Sequence, residues 1–320
     1  MDITMIEAAA ARLAGHARRT PLLSSPFLDA VAGRRVLVKP ECLQHTGSFK
    51  FRGAWSALTA LPAGTRGVIA FSSGNHAQGV AHAARRLGLA AVIVMPSDAP
   101  ALKIDNTRAF GAEVVLYDRV EESREEIGAR IAAERGLVLV KPYDEPQVIA
   151  GQGTIGLEIA EDCARLGIAA ADVLVPCGGG GMTAGIALAL QARAPGLRVR
   201  PCEPEGFDDA ARSLVAGRRV ANAQAAGSIC DAIVTAMPGE LTFPVMARLC
   251  GPGIAVSDDE ALAAMRAAAL RLKILAEPGG AVALAAALSH PVAFEPDRPV
   301  IAVVSGGNAD PAMIARALAG

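Results

Sequence analysis

The 320-residue chain has ample apolar material for a large core, since 52% of its residues are hydrophobic and 20% are charged. Its formal net charge of −1 provides no basic field of the kind that binds nucleic acid or an anionic membrane surface. The six cysteines include no CxxC pair and no His/Cys spacing suited to zinc, which predicts free thiols in a reducing compartment.

The chain shows neither a membrane span nor a secretory signal. No uninterrupted apolar run reaches the ~18 residues that a transmembrane helix requires. Asp2 and Glu7 interrupt the N-terminal apolar stretch, unlike the apolar region of a signal peptide. We therefore expect a cytoplasmic protein.

Short runs of strand-forming residues alternate with alanine-rich segments of helical period through most of the chain. This alternation predicts an α/β fold built on parallel sheet, with helices on both faces. Several runs are almost entirely Val, Ile and Leu, which is typical of strands buried on both sides. In chain order the runs are RRVLVKPE, GVIAFSS, AAVIVMP, EVVLYD, LVLV, DVLVPCGG, RVRPCEP and VIAVVSGG.

Ligands of such folds bind outside the carboxyl ends of the strands, so the loops that follow the strands are the candidate site. The loop PCGGGGMTAG has four consecutive glycines, Gly178 to Gly181, between a predicted strand and a predicted helix. Exposed amides at a helix N-terminus suit a phosphate dianion. No GK[ST] follows, and the spacing does not match the dinucleotide GxGxxG pattern. A tight turn is the alternative, but one glycine would be enough for that.

Two other loops carry neutral hydrogen-bonding groups. In FSSGNHAQG, Ser72 or Ser73 could cap a helix, or the same amides could hold a carboxylate. Asn75 could donate its side-chain N–H to a ligand, whereas a histidine such as His76 is more often structural. Ser305, in VVSGGNAD, places a hydroxyl at the carboxyl end of an apolar strand, where a turn serine is the alternative.

An acidic loop, EPEGFDD, contains Glu203 and Asp209. Carboxylates with nearby backbone carbonyls suit a hard cation such as Mg²⁺ or Ca²⁺. From the residues alone, however, a solvated acidic turn is the favoured interpretation.

Lys50 lies in TGSFKFRG, among small and apolar residues. An amine in such surroundings has a lowered pKa, which makes it a nucleophile toward an aldehyde and then a base. Together, the phosphate loop, Asn75, the neutral hydroxyl of Ser305 and Lys50 predict a pocket for pyridoxal 5′-phosphate (PLP).

Several segments also resemble, in order, those of the tryptophan-synthase-β-like (fold type II) PLP enzymes, and specifically the serine/threonine dehydratase and serine racemase group. The resemblance covers nearly the whole chain and rests on TGSFKFRGA, SSGNHAQGVA, AGQGTIGLEI, GGGGM, EPGGAVALAA and SGGN. It implies a two-lobed, parallel-sheet-based fold. Residues 1–65 and 143–320 would form a large PLP-binding domain, and residues 66–142 a smaller mobile domain inserted within it. The resemblance also implies a homodimer.

The resemblance assigns cofactor roles to individual residues. Lys50 would hold PLP covalently and move the substrate Cα proton, while Asn75 would bind the 3′-oxygen. Ser305 would partner the ring nitrogen, and Phe49 would pack near the ring. The phosphate would be bound through the backbone of Gly178, Gly179, Gly180, Gly181 and Met182.

Substrate and cation roles follow from the same resemblance. Ser73 matches the serine that serves as the opposite-face acid/base in racemases. Glu203, Asp209 and the carbonyl of Phe207 match a divalent-cation site, which favours Mg²⁺ or Ca²⁺ over the solvated turn. The loop that would bind the amino-acid substrate comprises Ser72, Ser73, Gly74, Asn75 and His76.

The implied activity is β-elimination of L-threonine or L-serine to 2-oxobutanoate or pyruvate plus ammonia. The alternatives are a serine racemase, a lyase for another β-hydroxy amino acid such as 3-hydroxyaspartate, and, more remotely, a non-catalytic phosphate-ligand sensor. Tyr143 favours a dehydratase, because racemases often carry Asn at this position. Cys230 and Ala232 depart from the typical dehydratase segment, so the substrate stays open.

Overall fold

The computed structural model describes residues 1–72, 74–99, 101–118 and 120–320. Their strands form two sheets. The six-stranded sheet contains, in spatial order, β1 (Leu23–Ser24), β2 (Val36–Pro40), β10 (Val300–Val304), β7 (Ala171–Pro176), β8 (Leu197–Pro204) and β9 (Ile254–Val256). The four-stranded sheet contains β5 (Glu113–Tyr117), β4 (Ala90–Pro96), β3 (Gly67–Phe71) and β6 (Val138–Leu139).

All neighbouring strands pair in parallel except β1 and β2, which are antiparallel. The predicted α/β class is therefore confirmed, and each of the eight predicted runs contains a strand. β2, β7 and β10 are buried along their whole length, as their apolar composition indicates. β1 and β9 are not among the predicted runs, because they are two and three residues long and too short to show a period.

The helices lie between the strands and cover the sheets. The first seven are α1 (Ile3–Leu13), α2 (Pro26–Ala32), α3 (Lys50–Thr59), α4 (Asn75–Leu87), α5 (Ala101–Ala109), α6 (Arg124–Arg135) and α7 (Pro146–Arg165). The others are α8 (Gly181–Arg193), α9 (Asp209–Ala216), α10 (Thr242–Leu249), α11 (Asp258–Ala267), α12 (Pro278–Ser289) and α13 (Pro311–Ala319). Among the described residues, no helix is both long and apolar enough to cross a membrane.

The two sheets divide the chain much as the predicted domains do. Every strand of the four-stranded sheet lies within 66–142, and every strand of the six-stranded sheet lies outside it. Helix α3, which precedes position 66, nevertheless packs Phe51 and Ala54 into one core with Val68 and Ala77. The domain limits and the mobility of the inserted domain stay predictions.

A buried ion network anchors α3. Arg52 is 1% exposed, and its guanidinium contacts Glu41 at 2.8 Å and Glu158, on α7, at 2.7 Å. Lys39, on β2, is also fully buried and contacts Glu158 at 2.5 Å. Buried charges of this kind are tolerated only when they are paired and hydrogen-bonded. The network therefore ties the first turn of α3 to β2 and α7.

Replacing Arg52 by Met should lower the free energy of unfolding by about 3–5 kcal/mol, because Glu41 is left buried without its cation. The matched control is Arg130→Met. Arg130 forms an exposed pair with Glu134 at 3.4 Å, and its loss should cost no more than about 0.5 kcal/mol. Urea denaturation of both variants measures the difference, and equal losses would contradict the anchoring role.

Candidate active site

One cavity of about 270 Å³ lies where loops of the two sheets meet. Four of the five candidate loops line it: those that contain Lys50, Asn75, the glycine run and Ser305. These loops follow β2, β3, β7 and β10 at their carboxyl ends, where the parallel-sheet argument places a ligand. The acidic loop with Glu203 does not contribute to this cavity within the described part of the chain.

Lys50 is the first residue of α3 and is partly buried at the cavity wall. Its Nζ donates a hydrogen bond to the carbonyl of Pro142 at 2.8 Å and lies 5.1 Å from the centre of the Phe49 ring. Burial lowers the pKa of Lys50 to about 8, and the negative charge of Glu277 opposes that shift. An appreciable fraction of neutral, nucleophilic amine is therefore present near neutral pH.

The glycine loop leads directly into α8. Gly180 is the N-cap, at a φ of 87°, and no side chain caps the helix. A Cβ on Gly179 would overlap the ring of Tyr143, and one on Gly181 would lie 2.9 Å from the Tyr143 carbonyl oxygen. The glycines therefore allow close packing of Tyr143 as well as exposing amides. The uncapped amides make an anion cradle that fits a phosphate.

The cradle is held in place from α10. The hydroxyl of Thr242 donates a hydrogen bond to the carbonyl of Gly179 at 2.6 Å, and the amide of Gly239 donates to the same oxygen at 3.1 Å. Met182, 4% exposed, lines the cavity and packs into the hydrophobic core beneath α8. The loop thus presents its amides from a rigid support.

A second uncapped helix N-terminus borders the cavity. Asn75 begins α4 with Gly74 as N-cap, and the hydroxyl of Ser72 accepts a hydrogen bond from the Gly74 amide at 3.1 Å. No side chain among the described residues caps the first amides of α4, and such amides suit a carboxylate. Ser73, the predicted opposite-face acid/base, lies outside the described residues.

His76 lines the cavity but is held by the backbone. It is 3% exposed, and its Nε2 donates to the carbonyl of Val140 at 2.9 Å. Burial, together with the positive charge of Lys50, lowers the pKa of His76 to about 3. The ring is therefore neutral at physiological pH, where it serves as a fixed hydrogen-bond donor.

Ser305 joins the end of β10 to the segment before Lys50. It is 3% exposed and lines the cavity. Its amide donates to the carbonyl of Gly280 at 3.2 Å, and its carbonyl accepts from the amide of Phe49 at 3.0 Å. Its hydroxyl is thus brought close to the Lys50 segment, as a cofactor pocket requires.

Glu277 is a site residue that the sequence analysis missed. It is the N-cap of α12, 5% exposed, and its Oε1 accepts a hydrogen bond from Nδ2 of Asn75 at 2.5 Å. Burial raises the pKa of Glu277 to about 7, and the bond from Asn75 opposes that shift. The available signal was the single acidic residue of EPGGAVALAA, immediately ahead of a fully apolar helix.

Two cationic side chains of the cavity wall were also missed. Lys103, on α5, pairs with Asp231 at 3.3 Å, and Arg124, at the start of α6, pairs with Glu125 at 2.7 Å. Both lie on helices of ordinary polar composition. No local pattern in the sequence separates them from solvent-exposed charges.

The two predicted carboxylates of the acidic loop are buried, so the solvated-turn alternative is wrong for Glu203 and Asp209, both at 0% exposure. Glu203 accepts 2.8 Å hydrogen bonds from the amides of Ala210 and Ala211. Burial raises the pKa of Glu203 well above its usual range, and the charge of Asp209 adds to this. Among the described residues, no three His, Cys, Asp or Glu side chains form a metal cluster.

A fold of two mostly parallel sheets with a partly buried lysine and an uncapped glycine loop at one cavity defines a fold type II PLP enzyme. The profile of the family described as pyridoxal-phosphate dependent enzyme matches residues 13–306. The chain belongs to this family. The amine of Lys50 and the uncapped amides of α8 fit the aldehyde and the phosphate of that cofactor.

Similar proteins act on related amino acids. An L-threo-3-hydroxyaspartate ammonia-lyase from Pseudomonas sp. is 44% identical, covering 94% of this chain and 93% of that protein. A serine racemase from Oryza sativa subsp. indica is 39% identical, covering 97% and 91%. The solved structure of a threonine deaminase from T.th. is 44% identical with a TM-score of 0.91, covering 97% of this chain and 99% of that one.

Glu277 should make the stability of the cofactor-free protein depend on pH. Its pKa is raised from 4.5 to about 7 on folding, so stability is lost as pH rises through this range. Glu277→Gln removes the loss. The free energy of unfolding of the variant minus that of the unsubstituted protein should therefore increase by about 3 kcal/mol between pH 4.5 and pH 8. Denaturant titration at both pH values tests this, and a pH-independent difference would contradict it.

Proposed function

We propose that the protein is a PLP-dependent ammonia-lyase acting on a β-hydroxy amino acid, with L-threonine and L-serine as leading candidates. The substrate loses its Cα proton and β-hydroxyl as water. Water then replaces the nitrogen, which releases ammonia and 2-oxobutanoate or pyruvate. The observation that carries the proposal is the amine of Lys50, with its lowered pKa, in one cavity with an uncapped glycine loop. The printed names of the similar proteins support the same reaction class.

Each element of the cavity has a part in this reaction. Bound PLP supplies the electron sink that acidifies the substrate Cα–H. The amides of α8 hold its phosphate, and Asn75 donates to its 3′-oxygen. The neutral hydroxyl of Ser305 partners the ring nitrogen without enforcing its protonation.

The remaining groups act on the substrate. The amides at the start of α4 hold the α-carboxylate, with Ser72 and Gly74 shaping the turn. Nζ of Lys50 removes the Cα proton, a role suited to an amine whose pKa lies near 8. The acid/base role that the resemblance assigns to Ser73 would add racemase activity, and formation of D-serine from L-serine measures that alternative.

The cellular setting is part of the proposal. Six unpaired cysteines, four of them buried, support a reducing cytoplasm. A homodimer is proposed from the family resemblance alone.

Lys50→Ala should abolish release of 2-oxo acid and ammonia from L-threonine and L-serine, because both the covalent anchor and the Cα base are lost. Borohydride reduction of the unsubstituted holoenzyme, followed by peptide mapping, should place the cofactor on Lys50. Lys39→Ala is an unsuitable control because Lys39 belongs to the ion network, so Lys141→Ala serves instead. A Lys50→Ala protein that still responds to phosphate ligands, beside an inactive parent, would favour the sensor alternative.

A second substrate candidate, 3-hydroxyaspartate, is favoured by the cations of the cavity wall. A β-hydroxy amino acid with a neutral side chain needs neither Lys103 nor Arg124, whereas a second carboxylate pairs well with a guanidinium. The pair between Arg124 and Glu125 is exposed and therefore easily exchanged for such a ligand. The name of the Pseudomonas relative points the same way.

Arg124→Gln should lower kcat/KM for L-threo-3-hydroxyaspartate by about 10- to 100-fold, the worth of one charge-assisted hydrogen bond. Activity on L-serine should change less than about threefold. Arg130→Gln, on the exposed side of the same helix, is the matched control. An equal loss for both substrates would remove the argument for an acidic substrate.

We also propose a divalent cation, Mg²⁺ or Ca²⁺, at Glu203, Asp209 and the carbonyl of Phe207. Oδ2 of Asp209 is buried and has no hydrogen-bond partner among the described residues, and Asn222 donates to the other oxygen at 2.7 Å. A cation would offset the repulsion between two buried carboxylates.

Adding Mg²⁺ or Ca²⁺ to chelator-treated protein should raise the melting temperature, because the ion binds only the folded state. Asp209→Asn should abolish that rise. Asp208→Asn, the neighbouring N-cap, should keep it. Indifference of the unsubstituted protein to both the chelator and the cations would argue against the site.

A further inference from the structure

Asn75 is held at both ends of its side-chain amide. Its Oδ1 accepts a hydrogen bond from Nδ2 of Asn308 at 2.7 Å, and its Nδ2 donates to Oε1 of Glu277 at 2.5 Å. Asn308 is in turn oriented by the carbonyl of Thr46, which accepts from its Nδ2 at 2.8 Å. We call these four residues, Thr46, Asn308, Asn75 and Glu277, the amide relay.

The chemistry of the two ends allows one orientation of Asn75. A backbone carbonyl only accepts, so Asn308 must present its NH₂ group to Thr46, and the same group then faces Asn75. With Oδ1 of Asn75 facing Asn308, Nδ2 of Asn75 faces Glu277, whose ionised carboxylate only accepts and whose protonated carboxyl still offers an accepting oxygen. Turning the Asn75 amide over would place donor against donor at Asn308 and acceptor against acceptor at Glu277. The second N–H of Asn75 therefore has a defined direction.

The backbone around the relay is shaped to admit these side chains. Thr46 has a φ of 64°, a left-handed conformation that is uncommon for a residue with a side chain. A Cβ on Gly47 would overlap Asn308, and one on Gly306 would overlap the carboxylate of Glu277. Strained or crowded backbone at such positions persists only where the surrounding structure requires it.

We propose that Glu277 and Asn308 are positioning residues that orient the amide of Asn75 toward the 3′-oxygen of PLP. This inference rests on the proposed cofactor role of Asn75. The start of α12 and the SGGN loop would thereby influence the electronic state of the cofactor. Their residues lie 202 and 233 positions from Asn75, so the sequence gives no sign of this link.

The relay is also linked to the segment that carries Lys50. The amide of Gly307 donates to the carbonyl of Gly47 at 2.9 Å, and the amide of Glu277 donates to the carbonyl of Gly306 at 3.0 Å. Thr46 and Gly47 precede Lys50 by four and three residues. Asn308 contacts Asn75 directly, whereas its loop is linked to the Lys50 segment through backbone hydrogen bonds. Substituting Asn308 should therefore disturb the Asn75 side chain more than the amine of Lys50.

The central experiment compares two substitutions of Asn308 in the holoenzyme. Asn308→Ala removes one restraint and should raise the Kd for PLP by about tenfold, with a shift in the pH dependence of the bound cofactor's visible absorption. Asn308→Asp should be worse than Asn308→Ala, because its carboxylate accepts from Nδ2 of Asn75 and favours the inverted amide. Asn106→Ala, a nearby asparagine outside the relay, should leave both properties unchanged.

Substitutions of Glu277 provide a second, independent test of the same proposal. Glu277→Gln still offers an oxygen to Nδ2 of Asn75 and should keep the Kd for PLP within about threefold, while Glu277→Ala should raise it by about tenfold. The charged groups that influence Glu277 are Asp231, Lys103 and Lys50, and the charge of Glu277 in turn raises the pKa of the Cys42 and Cys230 thiols. Absorption should therefore be recorded across pH in every variant.

Two outcomes would overturn the positioning role. One is an unchanged Kd and spectrum in both Asn308 variants. The other is equal damage by Ala and Asp with an unaltered spectrum, which is what a purely structural role produces. The proposed function fails separately: a holoenzyme with the expected cofactor spectrum that releases no ammonia from any β-hydroxy amino acid would refute the lyase while leaving the relay testable.

Discussion

The partial burial of one lysine amine, at the junction of two packed cores, is the constraint on which the site depends. Lys50 has its Nζ at the cavity wall, where it donates a hydrogen bond to the carbonyl of Pro142. Removing an amine from water is costly, so the helix that carries it has to be held firmly. Arg52 provides that hold through Glu41 and Glu158, while Phe51 packs on the opposite side with the core of the smaller sheet.

Two helix N-termini border the cavity. Both α4 and α8 begin at its edge, each with a glycine N-cap and no capping side chain. A protein that needed only two stable helices would place Ser, Thr, Asp or Asn at these caps. Glycine N-caps at Gly74 and Gly180 give up that helix stability and leave amides of the kind that bind anions.

Packing in the folded chain explains the roles of two segments whose amino-acid composition alone is misleading. Four consecutive glycines suggest a flexible loop, but Tyr143 packs on Gly179 and Thr242 holds its carbonyl. The loop is therefore closely packed and hydrogen-bonded, and Tyr143 supports it whatever its bearing on substrate choice. Glu203 shows the reverse: its acidic segment suggests exposure, yet its carboxylate is buried on the amides of α9.

Local sequence patterns were enough to predict the α/β class, the strand-forming runs and the roles expected of Lys50, Asn75 and the glycine loop. Parallel strands bring the loops at their carboxyl ends to one edge, so these local patterns also indicate that the loops meet. The distant groups that contact these residues, in contrast, become visible only in the folded chain. Glu277 meets Asn75 across 202 residues and Asn308 meets Thr46 across 262. Lys103 and Arg124 became part of the cavity wall in the same way. No local periodicity encodes such contacts, because they arise from the packing of one loop against another.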